Sequence, residues 1–186
     1  MKRPLDFLLA LLMGMLCALP LLLIALTVRL SSPGPAIYWS RRIGRNGVEF
    51  QMPKFRTMRV DTPAVATHLL DRPEQYLTPI GGFLRKSSLD ELPQLWSIIV
   101  GDMSWVGPRP ALFNQDDLMS LRRANGVDRL TPGITGWAQI NGRDEIPIPQ
   151  KVALELEYLQ QQSLGFDLKI MLLTAKKVIW RENISH

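Results

Sequence analysis

The chain has 186 residues, 46% of them hydrophobic and 21% charged, which excludes a disordered polymer and leaves room for one domain with an appended anchor. Its net charge of +5 is unevenly placed: the first 60 residues hold nine Lys/Arg against Asp6 and Glu49, so they carry +7 and the remaining 126 carry −2. One cysteine, Cys17, excludes an intramolecular disulfide framework and a multi-cysteine metal cluster, and two distant histidines, His68 and His186, exclude a histidine-rich metal site.

The chain opens on the basic pair Lys2-Arg3, and residues 7–28 then run without a charge. As a straight helix that run reaches about 33 Å, enough for a hydrocarbon core of about 30 Å. A cleaved signal peptide fits poorly, because the run is long, Asp6 interrupts the basic start and no small-residue cleavage site follows. Pro20 lies in mid-run, where it removes a backbone hydrogen bond and bends a helix. Basic residues flank both ends, with Arg29, Arg41, Arg42 and Arg45 following, so both ends favour the cytoplasm. A spanning helix and a re-entrant helix that bends at Pro20 and returns to its own side are both open on these grounds. The re-entrant form needs neighbouring protein or local adjustment to satisfy the carbonyl freed by the proline.

Ser31-Ser32-Pro33-Gly34-Pro35 ends the helix. The apolar-rich stretches 37–43 and 48–55 flank Gly44-Arg45-Asn46-Gly47, and Asn46-Gly47 predicts a β-hairpin. The basic residues here suit anionic headgroups, a phosphorylated substrate or simply a solvated face. Residues 61–80 read as a linker, with His68 at the surface.

In 81–110, the positions Leu92, Leu95, Trp96, Ile99 and Val100 follow helical spacing. Pro93 is tolerated only in a first turn, so the predicted helix starts close to Asp90, with Ser88 or Asp90 as its N-cap. That places Asp90 and Glu91 at the positive end of the helix dipole, where a carboxylate stays ionised and a phosphate is welcome. Adjacent carboxylates there can serve as a nucleophile beside a base or metal ligand, or merely as a cap and a surface charge. Arg85 and Lys86 precede the pair. Arg109, inside Gly107-Pro108-Arg109-Pro110, sits on stiff backbone that suits a phosphate clamp or a structural ion pair. The glycine- and amide-rich stretch 131–143 suits a binding loop better than a core element.

No P-loop, dinucleotide fingerprint or nucleophile elbow occurs, and no Asp-x-Asp pair is present. Two helical stretches close the chain. Residues 149–162 put Val152, Leu156 and Leu159 on one side, and 166–180 carry Ile170, Leu173 and Lys177 and end at Trp180. Trp180 with Lys176, Lys177 and Arg181 suits a membrane interface, and a plain packing helix fits equally.

In chain order, the hydrophobic segment with its central proline is followed by Lys54-Phe55-Arg56-Thr57-Met58 and Ser88-Leu89-Asp90-Glu91-Leu92-Pro93-Gln94-Leu95. Gly101-Asp102-Met103-Ser104, Gly107-Pro108-Arg109-Pro110, Pro132-Gly133-Ile134-Thr135-Gly136 and Asn141-Gly142-Arg143 complete the set. Each is weak alone, but the ordered set resembles the bacterial sugar transferase family, in its small monotopic phosphoglycosyl transferases of the PglC type. The length implies the catalytic core without the extra N-terminal membrane helices of larger relatives. The resemblance implies a mixed α/β, mainly helical fold with a re-entrant membrane helix over 1–32. A cytoplasmic, membrane-associated catalytic domain with interfacial amphipathic helices would fill 33–186. It implies transfer of a phospho-sugar from a UDP-sugar to undecaprenyl phosphate with release of UMP, at the cytoplasmic face of a bacterial inner membrane and at the start of glycan assembly. Asp90 falls on the family's nucleophile, which forms a covalent phosphosugar intermediate. Glu91 falls on its partner, with Mg²⁺ held by Glu91 and Asp90 and the base and metal roles undivided. Lys54, Arg85 and Arg109 fall on phosphate-binding positions and Arg143 on one facing the nucleotide. Membrane lipids are expected partners and nucleic acid is not, while self-association stays open. One departure is that Leu19, not the family's frequent serine, precedes Pro20, which leaves two alternatives: a shallower break, or cover of the freed carbonyl by Thr27 or another neighbour. A scaffold for glycan-assembly enzymes and a glycosyltransferase releasing UDP are the rival readings.

Overall fold

The computed structural model describes residues 2–63, 72–142 and 146–179; His68, Arg143, Trp180, Arg181 and His186 lie outside them. Helices α1 (Lys2–Leu16) and α2 (Ala18–Ser31) break at Cys17 and bend by 64°. The bend falls three residues before Pro20 because a proline's missing N–H and its ring act on the turn preceding it. Thr27 does not serve the break: its hydroxyl donates to the Leu23 carbonyl at 2.7 Å, one turn back in α2. Among the described residues no single helix is long and apolar enough to cross a membrane, although the bent pair together is. Leu12, Met15, Leu16, Leu19 and Leu22, around the bend, are exposed.

The start of α1 is tied into the body of the protein. Lys2 Nζ donates to the Val106 carbonyl at 2.8 Å, to the Tyr158 hydroxyl at 2.8 Å and to the Asp167 carboxylate at 2.6 Å. Arg3 donates to the carbonyls of Ile98 and Ile99. Asp6, only 7% exposed, accepts from Ser104 Oγ at 2.8 Å, and its backbone carbonyl accepts from the Trp105 indole. At the far end of the pair, Val28 is buried with Phe55 and Leu84. The buried Arg56 guanidinium donates to the carbonyls of Ser32 and Pro33 as the chain leaves α2.

The predicted hairpin forms as β1 (Ile37–Ile43) and β2 (Glu49–Phe55), antiparallel, with Ser40 opposite Met52 and Tyr38 opposite Lys54. Asn46 and Gly47 both take positive φ, 57° and 77°, as this turn demands. Pro53 is tolerated because β2 is an edge strand in the order β2-β1-β4. After α3 (Gly81–Lys86) come a 3-10 helix, Leu89–Gln94, and α4 (Leu95–Val100). Three short strands follow: β3 (Ser104–Val106), β4 (Ala111–Leu112) and, beyond α5 (Asp116–Ala124), β5 (Gly133–Thr135). β3 and β5 pair in parallel. The stretch 131–143, expected as a binding loop, is therefore partly a core element, because Pro132, Gly133, Thr135 and Gly136 are buried. α6 (Trp137–Asn141), α7 (Ile148–Gln161) and α8 (Leu164–Ile179) pack around Val106, Leu118, Val127, Val152, Tyr158 and Ile170. On α8, Asp167 and Ile170 face this core, while Leu164, Leu168 and Leu172, at four-residue spacing, stay exposed.

Candidate active site

Period-2 geometry puts Ser40, Arg42, Met52 and Lys54 on one face of the hairpin. Arg41 and Arg42 consequently part. Arg41 faces out, paired with Glu49 at 2.8 Å and stacked 4.4 Å from the Phe113 ring. Arg42 turns in, donating to Ser40 Oγ at 3.0 Å and to the Pro110 carbonyl at 3.2 Å. The 3-10 helix Leu89–Gln94 packs against β2 and carries the two carboxylates.

The expected α-helical start at Asp90 is corrected here. Ser88 does occupy the cap position, but in the left-handed region (φ 57°) and with no side-chain capping bond. The α-helix begins only at Leu95, since Pro93 is accommodated in the tighter 3-10 turn. The pair therefore sits in the first turn of a 3-10 helix that runs on into α4, not in the first turn of an α-helix. Asp90 is 8% exposed, and burial raises its pKa to about 6, with the charge of Glu91 adding and those of Lys54 and Arg85 opposing. The helical face is corrected too: Leu95 and Ile98 are buried, whereas Trp96 and Val100 point outward.

Lys54 Nζ donates to Glu91 Oε1 at 2.7 Å, and an Arg109 nitrogen approaches the same oxygen at 3.6 Å. Burial lowers the Lys54 pKa, with Glu91 as the main opposing influence. Arg85, in the last turn of α3, donates from Nε to Thr57 Oγ1 at 3.0 Å, and its charge reaches Asp90. Of the predicted site residues, Lys54, Glu91 and Arg109 line one cavity, Asp90 and Arg85 lie within electrostatic reach of that group, and Arg143 lies outside the described residues.

Arg109 reaches this place through close backbone packing. Gly107 N donates to the Thr135 carbonyl at 2.9 Å, and Gly133 N to the Pro108 carbonyl at 2.9 Å. A Cβ at Gly133 would lie 2.2 Å from the Gly107 nitrogen, so the glycine is what lets the Arg109 segment cross β5. Below it, Arg122 and Glu155, both almost fully buried, pair at 2.5 Å, and Arg122 also donates to the Arg109 carbonyl at 3.0 Å. The cavity is lined by Arg42, Met52, Lys54, Glu91, Gln94, Arg109 and the Gly133-Ile134 backbone among others. Arg42 and Gln94 were not singled out as site residues from the sequence. The strand alternation that separates Arg42 from Arg41 was a usable signal, and the place of Gln94 three residues after Glu91 was another.

Three cations, Arg42, Lys54 and Arg109, line the cavity with Glu91, and the buried Asp90 precedes Glu91 in the chain; such an arrangement suits a phosphorylated, anionic ligand. The chain belongs to the bacterial sugar transferase family, whose model matches residues 1–181. It is 41% identical over 191 residues to the UDP-glucose:undecaprenyl-phosphate glucose-1-phosphate transferase of Caulobacter vibrioides, covering 98% of this chain and 71% of that protein. It is 42% identical over 185 residues to the Escherichia coli protein of the same name, covering 95% of this chain and 40% of that one. The uncharacterized sugar transferase EpsL of Bacillus subtilis is 39% identical over 184 residues, with 99% and 90% covered. The chain thus spans about two-fifths of the length of the E. coli relative and 35% of a same-named Xanthomonas campestris one.

Proposed function

We propose that the protein is a phosphoglycosyl transferase that moves a hexose 1-phosphate from a UDP-sugar to undecaprenyl phosphate and releases UMP. The observation that carries this reading is the Lys54–Glu91–Arg109 contact beside the buried Asp90, in a cavity walled by cations. The named activity of the Caulobacter and E. coli relatives supports it.

In the proposed reaction the ionised Asp90 carboxylate attacks the β-phosphorus of the donor. An Asp–phosphorus bond forms, the bridging phosphorus–oxygen bond breaks, and UMP leaves with the electron pair. An oxygen of undecaprenyl phosphate then attacks the same phosphorus and expels the Asp90 carboxylate. Lys54, Arg85 and Arg109 hold the phosphate oxygens, and Glu91 fixes Lys54 and Arg109 or takes the acceptor's proton. Two neighbouring carboxylates without a third acidic or histidine ligand among the described residues fit Mg²⁺, which binds few carboxylates together with substrate phosphates. Glu91 and Asp90 would hold it, and it would neutralise charge on the transferring phosphoryl group.

Membrane placement belongs to the same proposal. Both ends of the α1–α2 pair are fastened to one body, Lys2 to Asp167 and Val28 to Phe55 and Leu84. The apolar bend between them then enters the lipid and returns on the cytoplasmic side, with the Leu164–Leu168–Leu172 stripe of α8 at the interface. The test is nucleotide release: protein in detergent with Mg²⁺ and undecaprenyl phosphate is offered UDP-glucose and other UDP-sugars. UMP from wild type and none from Asp90→Asn is expected. UDP in place of UMP would mean plain glycosyl transfer, and UMP from both proteins would remove Asp90 as the nucleophile.

A further inference from the structure

The cavity beside Glu91 contains a polar side chain that the chemistry above leaves unused. Gln94 follows Glu91 by one turn of 3-10 helix, so the two side chains project on the same side. It is 3% exposed and lines the cavity with Arg42, Lys54 and Arg109. Its carboxamide makes no hydrogen bond to a described residue and is not among the sealed, unpartnered polar atoms, so it opens onto the cavity that it lines. Buried amides in folded proteins are paired, and a residue serving only to fill space here would be apolar, like its cavity neighbours Met52 and Ile134.

The other groups on the wall indicate what Gln94 is for. Arg42, Lys54 and Arg109 donate hydrogen bonds and accept none, which suits phosphate oxygens, while an ionised Glu91 only accepts. A carboxamide does both, and so does a sugar hydroxyl. Building on the donor assigned above, we propose that Gln94 contacts the hexosyl-phosphate half of the nucleotide sugar, hydrogen-bonding a sugar hydroxyl next to the β-phosphate.

The test separates the two halves of the donor. In an Asp90→Asn background, where turnover does not consume the ligand, UDP-glucose and UMP are titrated calorimetrically with Mg²⁺ against proteins carrying Gln94 or Gln94→Met. That substitution keeps the shape and removes both hydrogen-bonding atoms. Binding of UDP-glucose should weaken about tenfold, with UMP changed by less than about twofold. Equal weakening of both ligands, or weakening of neither, overturns the proposal. If Gln94→Met loses its cooperative thermal transition, Gln94→Glu provides the same two-ligand comparison under the same criterion. If the Asp90→Asn protein binds neither UDP-glucose nor UMP, the nucleotide-sugar reading itself falls, and this inference with it.

Discussion

Asp90 carries opposite demands in its pKa. Its carboxyl is buried, and that burial raises the native pKa from 3.8 to about 6. The folded value lies above the unfolded one, so the protonated form stabilises the fold at low pH and that contribution disappears as pH rises through 6. Above pH 6 the ionised native carboxylate costs at most about 3 kcal/mol. Asp90→Asn removes that cost while removing the proposed nucleophile. It should abolish UMP release yet raise Tm by several degrees at pH 7.5, with the gain vanishing near pH 4, in thermal scans at both pH values. A Tm unchanged at pH 7.5 would mean that the acid is not destabilised by its site. The same titration should appear in catalysis, because kcat/KM follows the free enzyme. An acid limb near pH 6 is expected, and Lys54→Met should move it upward, since Lys54 is the strongest charge opposing the shift. A limb unmoved by Lys54→Met would separate the titrating group from Asp90.

At the scale of elements, Arg109 is only as well placed as the backbone that bears it. The Arg122–Glu155 pair joins α5 to α7 and holds the Arg109 carbonyl, with both side chains nearly buried. Breaking a buried pair from one side leaves a buried charge and costs about 3–5 kcal/mol. Glu155→Gln should therefore lower Tm by roughly 10 °C and raise the KM for the UDP-sugar in protein that remains folded; a lower Tm with an unchanged KM would show that the pair supports the fold alone. The bent helix pair, the β-hairpin and the Asp90–Glu91 pair were legible in the sequence because each has a local signature: a charge-free run with a proline, Asn-Gly, and adjacent acids before Pro93. The 3-10 geometry was not, because Pro93 marks a first turn without saying which helix type follows. β3 and β5 were not either, since three residues are too few to display a period and their pairing is long-range. Lys2 and Arg3 read as topology charges because sequence cannot show that Asp167 and the Ile98 carbonyl lie against them. The burial of Asp90 likewise depends on residues far away in the chain.

For the molecule as a whole, the proposed membrane placement turns on the side of the membrane to which each end of the α1–α2 pair is assigned. A straight span would separate Lys2 from Arg29 by the membrane thickness, but Lys2 is bonded to Val106, Tyr158 and Asp167 of the same body that begins at β1. Severing those bonds to insert α1 fully would expose the buried Asp6 and strand Asp167, which is 6% exposed. Because Cys17 is the chain's one cysteine, Cys17→Ser gives a clean background for labelling. Pro4→Cys reports the start of α1 and Asn46→Cys the tip of the β-hairpin, both exposed positions. With a membrane-impermeant maleimide, both cysteines should react in inverted inner-membrane vesicles and neither in intact spheroplasts. Reaction of the position 4 cysteine in spheroplasts alone, with the position 46 cysteine reacting in inverted vesicles alone, would establish a full span and overturn the re-entrant reading. Disrupting the tie should then loosen the topology: Asp167→Asn in the Pro4→Cys protein removes the partner charge of Lys2 and should make labelling of position 4 faster in inverted vesicles. An unchanged labelling rate would mean that Arg3 and Asp6 hold the start of α1 without Lys2.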